Sequence, residues 1–292
     1  MDDELAAARR WYAEDIRLRT PVRRNLDIVT AFATVPRERF LGPGPWRILP
    51  DSHPDQPFDT PDDRPHWLCH DVLVTIDEIR GLNNGMPSFW AHNFDHLDLR
   101  RGERVMQVGA GTGYYAAVLA EMVGTTGRVV AVEYDGELAA RARANLEPWA
   151  QVEVVAGDGQ THDPGEIDAV VVFAGSTHPA PLWLDRLAEG GRLMMPLTSE
   201  NRWGFVLRAQ RRGTEFDAAS ISRVGIYPCA GGRDEEAGER LAQALRELRG
   251  MASTQIPIRA LHRGDPVPED ADKVWYRAPG FWLERKPDAQ EG

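Results

Sequence analysis

The sequence predicts an α/β chain built on a doubly wound, mostly parallel, Rossmann-like sheet, with a helical cap before it and a small α+β extension after it. Three observations carry this expectation. Between residues 104 and 196, short β-branched runs alternate with helical patterns, as βαβ units require. Residues 169–173 are apolar without a break, the texture of a strand buried on both faces. Glycines at 109, 111 and 113 follow the first of these strands and open a helix, a turn that lets the backbone come close to a ligand.

Taken in order, residues 3–19 and 25–34 read as helices, and 42–64, which contains GPGPW and TPDDRP, reads as loop. The central pattern gives a strand at 104–108, a helix at 114–123, a strand at 128–133 and a helix at 136–146 ending before Pro148. Strands at 152–155 and 167–173 come next, then a helix at 181–188 closed by Gly190 and Gly191, and a strand at 192–196. Beyond Pro196, strand follows strand: 205–211 and 219–227 flank the polar stretch around Gly213 as a hairpin. Residues 234–249 form an amphipathic helix with Leu241, Leu245 and Leu248 on one face and Gly250 as its stop. Runs at 256–258, 274–276 and 281–283 read as short strands packed on that helix. Their aromatics Trp275, Tyr276, Phe281 and Trp282 read either as core or as a peptide-docking surface. The last six residues read as a frayed end.

Composition narrows the function. The 292 residues are 42% hydrophobic and 27% charged, an ordinary globular balance. Forty-five acidic residues against 34 basic ones give a net charge of −11, which argues against a protein that grips long nucleic acid. The two cysteines, Cys69 and Cys229, form neither a metal spacing nor a disulfide framework and suggest a reducing, cytoplasmic compartment. The opening MDDELAAARR is acidic and then helical, unlike a secretion signal, and no apolar run is long enough to span a bilayer. The expectation is therefore no nucleic-acid partner, no membrane partner and no metal; oligomeric state is left open.

The most informative run is VMQVGAGTGYY at 105–115. A dinucleotide fingerprint, G-x-G-x-x-G, needs glycine at 114, where this chain has Tyr114. The G-x-G-x-G spacing of Gly109, Gly111 and Gly113 suits S-adenosylmethionine better than NAD. Glu133 ends the second strand, where a carboxylate can accept both ribose hydroxyls, and Tyr134 follows it. Asp158, between Gly157 and Gly159, follows the third strand and is placed to face the adenine amino group. These signals fall at the carboxyl ends of successive strands, where ligands bind in such sheets. Gln107 reads either as a buried amide bracing the loop or as a ligand contact.

Several stretches together resemble the protein-L-isoaspartate O-methyltransferases: VPRERF at 35–40, His70-Asp71 before Leu73, the glycine loop with Tyr114, VVAVEYD, GDG and LAEGGRLMMP. The resemblance implies a class I methyltransferase fold, S-adenosylmethionine as donor, and a side-chain carboxylate of a peptide or protein as acceptor. It divides the chain into a cap and loop at 1–80, a donor-binding core at 81–211 and an extension at 212–292. Gln107, Gly109, Gly111, Gly113, Tyr114, Glu133, Tyr134, Gly157, Asp158 and Gly159 are the expected donor-binding residues.

Two departures stand out. Before Pro87 the family usually carries Thr-x-Ser beside the acceptor, whereas this chain reads Asn83-Asn84-Gly85-Met86-Pro87. It is also longer at its C-terminus. Both fit a member acting on one dedicated substrate, such as a ribosomally made peptide whose esterified Asp closes to an aspartimide. Methylating a carboxylate needs no general base, since the acceptor is already a nucleophile at neutral pH; positioning and desolvation supply the catalysis. Asn83 and Asn84 are expected to donate side-chain amide hydrogens to the acceptor, and Gly85 to leave room for it or offer a backbone N–H. Two rival readings are a small-molecule O- or N-methyltransferase and a donor-binding partner protein without turnover.

Overall fold

Alternating β-branched and helical stretches become alternating strands and helices in the computed structural model, which describes residues 2–50, 53, 55–247, 256–264 and 273–287. In chain order these are α1 (Asp2–Arg19), α2 (Asp27–Thr34), β1 (Arg47–Leu49), β2 (Phe58–Asp59), β3 (Leu73–Asp77), β4 (Leu82–Asn83) and α3 (Pro87–Leu97). The central elements are β5 (Arg104–Val108), α4 (Tyr114–Val123), β6 (Arg128–Glu133), α5 (Gly136–Asn145), β7 (Val152–Ala156), β8 (Ile167–Val172), α6 (Pro181–Arg186) and β9 (Leu187–Thr198). The last are β10 (Trp203–Arg212), β11 (Glu215–Gly225), α7 (Glu235–Glu247), β12 (Ile258–Arg263), β13 (Val274–Ala278) and β14 (Phe281–Arg285).

The chain divides into two units, Met1–Glu103 with Ala110–Ala156, and Arg104–Gly109 with Gly157–Gly292. In the first, β6 and β7 pair in parallel from Val129 opposite Val152 to Glu133 opposite Ala156. Asp135 starts α5, its Oδ1 accepting from the amides of Glu137 and Leu138 at 2.9 and 3.0 Å. Helices α1 and α2 pack on α4 through edge-to-face rings: Phe32 meets Tyr12, Tyr114 and Tyr115 with centroids 6.3–6.4 Å apart. The buried Asp95 of α3 accepts from three backbone amides, Arg23, Arg24 and Asn25, at 2.8–3.1 Å, and so ties the α1–α2 turn to α3.

The loop expected at 42–64 contains β1 and β2, which join β3 and β4 in an antiparallel sheet of order β2-β1-β3-β4. Its Pro, Gly and Asp residues read as coil, yet Trp46 and Ile48 bury with Leu68 and Val74 as a small core. Helix α3 was not foreseen; Pro87 stands at its start, where a missing N–H costs nothing.

In the second unit the strand order is β13-β14-β12-β11-β10-β9-β8-β5. Strands β5, β8 and β9 are parallel, and the remainder join antiparallel, so this sheet is mixed. The helix expected to run to residue 188 stops at Arg186. Leu187 already pairs with Ile167, and β9 continues through Gly190 and Gly191, whose residues bulge out before Arg192 meets Ala169. Parallel pairing with β8 thus overrides the local helical pattern, and Gly190, at φ +74°, serves the bulge rather than a helix stop. Of the C-terminal strands, β13 packs on α7 as expected, and β12 also hydrogen-bonds to β11 and extends the sheet, which covers an edge that would otherwise be open. Trp275, Tyr276, Phe281 and Trp282 are all buried, so they are core and not a docking surface. Leu241 on α7 is buried and Leu245 half-buried; Leu248, Gly250 and 288–292 lie outside the described residues.

Asp95→Ala leaves three backbone amides without an acceptor, that of Asn25 buried and those of Arg23 and Arg24 part-buried, and should lower unfolding free energy by about 2 kcal/mol in a denaturant titration.

Candidate active site

The residues expected to hold donor and acceptor are divided between the two units by sequence, and the geometry within each is distinct. In the first unit the glycine loop is held by Glu133. Its Oε2 accepts from the Gly111 amide at 2.6 Å and its Oε1 from the Asp135 amide at 3.0 Å. The Ala110 amide donates to Val132 O, so the loop is laced to the end of β6 by two bonds. Glu133 is 8% exposed; burial raises its carboxyl above the ordinary range, against the pull of the amide bonds from Asp135 and Gly111. Each carboxylate oxygen keeps a lone pair for a further donor. Gly111, at φ +56°, has open space where a side chain would stand, room that a bound group could fill. Gly113 begins α4 at φ +98°, and a β-carbon there would meet Leu146 at 2.8 Å.

Tyr114 does not fit the role given to it. It is 1% exposed, with Phe40 edge-on and its hydroxyl 3.4 Å from that of Tyr12, and burial pushes its phenol up to about 12. An aromatic at the first position of α4 points into the helical cap, so the side chain serves the core. Tyr134, by contrast, is an exposed aromatic beside the end of β6.

The same unit carries the Asn83–Pro87 segment. Asn83 Oδ1 accepts from the Gly85 amide at 2.9 Å, an Asx turn, and Asn84 N donates to Val74 O at 2.8 Å. Asn84 Oδ1 accepts from Arg37 Nε at 3.0 Å. Gly85 O accepts from the Tyr115 hydroxyl at 3.1 Å. The expectation that Gly85 leaves room for the acceptor needs correction: at φ +76°, a β-carbon there would lie 2.8 Å from Trp90 Nε1 and 3.2 Å from the Tyr115 ring. That space is filled by protein. Asp71 Oδ1 accepts from Ser88 N at the start of α3, which fixes the segment's far end.

In the second unit Gln107 on β5 is fully buried, and neither amide atom has a hydrogen-bond partner. Two unmet polar atoms in a buried strand are costly and suit a donor or acceptor absent here. Gly109, at φ +82°, packs over Phe173. Gly159 would place a β-carbon 2.6 Å from Val108, while Gly157 faces open space. Asp158 Oδ1 accepts from the Gln160 amide at 2.8 Å, so it forms a turn, and its Oδ2 lies against Gly231. The loop at 228–233 was not foreseen as part of this surface, since nothing local marks it apart from Gly231-Gly232. His178 Nδ1 lies 2.9 Å from Thr177 Oγ1, and burial lowers its pKa. Nothing local marks Arg37, which lies in Val35-Pro-Arg-Glu-Arg-Phe40 beside Glu38 and Arg39.

Comparison with known proteins decides the family. The sequence profile described as "Protein-L-isoaspartate(D-aspartate) O-methyltransferase (PCMT)" matches residues 77–232, more than half of the 292. The chain belongs to this family. It is 32% identical over 203 residues to protein-L-isoaspartate O-methyltransferase 2 of Archaeoglobus fulgidus, covering 68% of this chain and 82% of that one. It is 30% identical over 218 residues to the protein-L-isoaspartate O-methyltransferase of Pyrobaculum neutrophilum, covering 72% and 94%. A solved protein-L-isoaspartate O-methyltransferase superposes with TM-score 0.63 at 20% identity over 98% of this chain and 88% of that chain. A second, from Plasmodium falciparum in complex with S-adenosyl-L-homocysteine, gives 0.59 at 16% over 76% and 97%. This family member thus has the class I methyltransferase fold and is an S-adenosylmethionine-dependent methyltransferase. No helix among the described residues is long and apolar enough to cross a membrane.

Gly85→Ala must both adopt φ +76° with a side chain and displace Trp90, so a loss of about 2 kcal/mol is expected in thermal unfolding, with or without donor present.

Proposed function

We propose that this chain transfers the methyl group of S-adenosylmethionine to the side-chain carboxylate of an Asp or isoaspartyl residue in a peptide or protein, and that its acceptor is a dedicated substrate. The observation that carries the second half is the acceptor segment, in which Asn83-Asn84-Gly85 replaces the family's Thr-x-Ser and Arg37 braces Asn84 from behind. A ribosomally made peptide, esterified at an Asp that then closes to an aspartimide, is such a substrate.

Bound against Gly111 and Glu133, the donor supplies an electrophilic methyl on a sulfonium, which a carboxylate oxygen takes by in-line displacement with no proton to move. The chain's own task is therefore placement. Glu133, with a spare lone pair on each oxygen, accepts the ribose hydroxyls. Gly111 and Gly157, where a side chain would enter open space, keep that space free for the donor, and Asp158 and Gln107 offer polar atoms to it. Asn83 and Asn84 present amide N–H groups to the acceptor and so raise the fraction of encounters in line with the methyl. The acceptor is already anionic at neutral pH, so no general base has to activate it.

Glu133→Ala should weaken binding of S-adenosylhomocysteine by roughly 1–3 kcal/mol in calorimetry, the cost of losing hydrogen bonds to a charged group. Because burial holds the Glu133 carboxyl above its ordinary range, protonation competes with ribose binding at a higher pH than for an exposed glutamate. Donor-product affinity of the wild type should therefore be flat at neutral pH and fall on acidification through that raised value, whereas Glu133→Gln should show no such step. Unchanged affinity in both variants removes Glu133 from the site. An unrelated isoaspartyl peptide should be turned over poorly, with kcat/KM at least tenfold below that of a repair enzyme from the same family assayed alongside. Comparable values would restore a general repair role.

A further inference from the structure

Arg37 is a buried cation that the reaction chemistry above does not use. It is 3% exposed, and its guanidinium lies over the Tyr114 ring, 5.8 Å from the centroid. Its nitrogens donate to three neutral oxygens: Nε to Asn84 Oδ1 at 3.0 Å, Nη1 to His70 O at 3.1 Å and Nη2 to Val72 O at 2.7 Å. No carboxylate pairs with it among the described residues. Taking a guanidinium out of water without a counter-ion is costly, and folds rarely keep such a group unless it serves something else.

What it serves is set by donor and acceptor rules. A guanidinium only donates, so the Asn84 atom facing it must be the oxygen. The amide cannot flip without setting its own N–H groups against Arg37, and its Nδ2 is thereby turned away from the arginine. Asn84 is itself buried, yet Nδ2 is neither sealed from solvent nor bonded within the protein. Withdrawal of charge from Oδ1 strengthens the N–H groups on the other side of the same amide. An acidic group meeting Nδ2 would find a polarised donor with an unneutralised cation behind it.

We infer that Arg37 is the positioning residue of the acceptor segment: it locks the Asn84 amide with Nδ2 outward and makes that face selective for an anionic acceptor. This rests on the reading of residues 83–87 as the acceptor segment. Selectivity for a carboxylate over a neutral hydroxyl or amide then comes from Arg37 acting through Asn84, with no charged side chain exposed in the site.

The decisive variant is Asn84→Asp. It sets a carboxylate against Arg37, keeps the three-way brace and forms an ion pair, so thermal stability should equal or exceed that of the wild type. It also replaces the outward N–H donor with an oxygen. Turnover of an isoaspartyl hexapeptide should fall tenfold or more through a higher acceptor KM, with S-adenosylhomocysteine affinity unchanged. Arg37→Gln, which keeps a donor to Asn84 but removes the charge, should raise acceptor KM several-fold, again without loss of donor affinity; if it does not fold, Asn84→Asp decides alone. Full turnover in a stable Asn84→Asp, with the wild type active on the same peptide, overturns the assignment and leaves the functional reading intact. A wild type that methylates neither aspartyl nor isoaspartyl peptides overturns the functional reading and the assignment with it.

Discussion

The hydrogen bond from the Gly111 amide to the Glu133 carboxylate is the constraint on which the glycine loop of the first unit depends. It joins a loop with no regular structure to the last residue of β6, and Asp135 holds the other carboxylate oxygen while capping α5. One side chain thus fixes a glycine turn and the start of the next helix, in a place where burial would otherwise favour the uncharged acid. Arg37 has the corresponding place behind the Asn83–Pro87 segment. Its guanidinium joins the turn that follows α2, the His70–Val72 backbone and Asn84, three segments distant in sequence. Both devices set a charged group against neutral partners, and both leave one polar direction open.

The central elements were legible in the sequence because their signal is periodicity. Strands such as Ile167–Val172 are apolar through most of their length, and α5 falls where the helical pattern at 136–146 expects it. The contact between Gly111 and Glu133 was legible because a glycine turn after one strand and an acid at the end of the next are local features. What was not legible depends on partners far along the chain. Strands β1 and β2 are three and two residues long and exist because β1 pairs with β3 and β2 with β1. The Gly190-Gly191 pair reads as a helix stop locally, and only pairing with β8 makes it a strand bulge. Tyr114 sits in a ligand motif, but Tyr12, Phe40 and Arg37 claim its ring.

The part of the chain beyond residue 232, outside the span of the family profile, is tied to the loop that follows β8. Arg233 donates to Gly175 O at 3.1 Å and to Thr198 Oγ1 at 3.0 Å, Asp234 N to Thr177 Oγ1 at 2.9 Å, and the Tyr276 hydroxyl to Thr177 O at 2.7 Å. In a sheet of this type, loops at the carboxyl ends of strands carry the ligand contacts. The extension therefore braces the loop that follows β8 while covering the β11 edge.

The central claim is that the acceptor is a carboxylate, and the chemical lability of the transferred methyl tests it most directly. An isoaspartyl peptide incubated with the enzyme and methyl-labelled S-adenosylmethionine should gain label that mild base releases as methanol, since a carboxyl ester hydrolyses. Label that withstands the same base, and so sits on nitrogen or in an ether, would contradict the account.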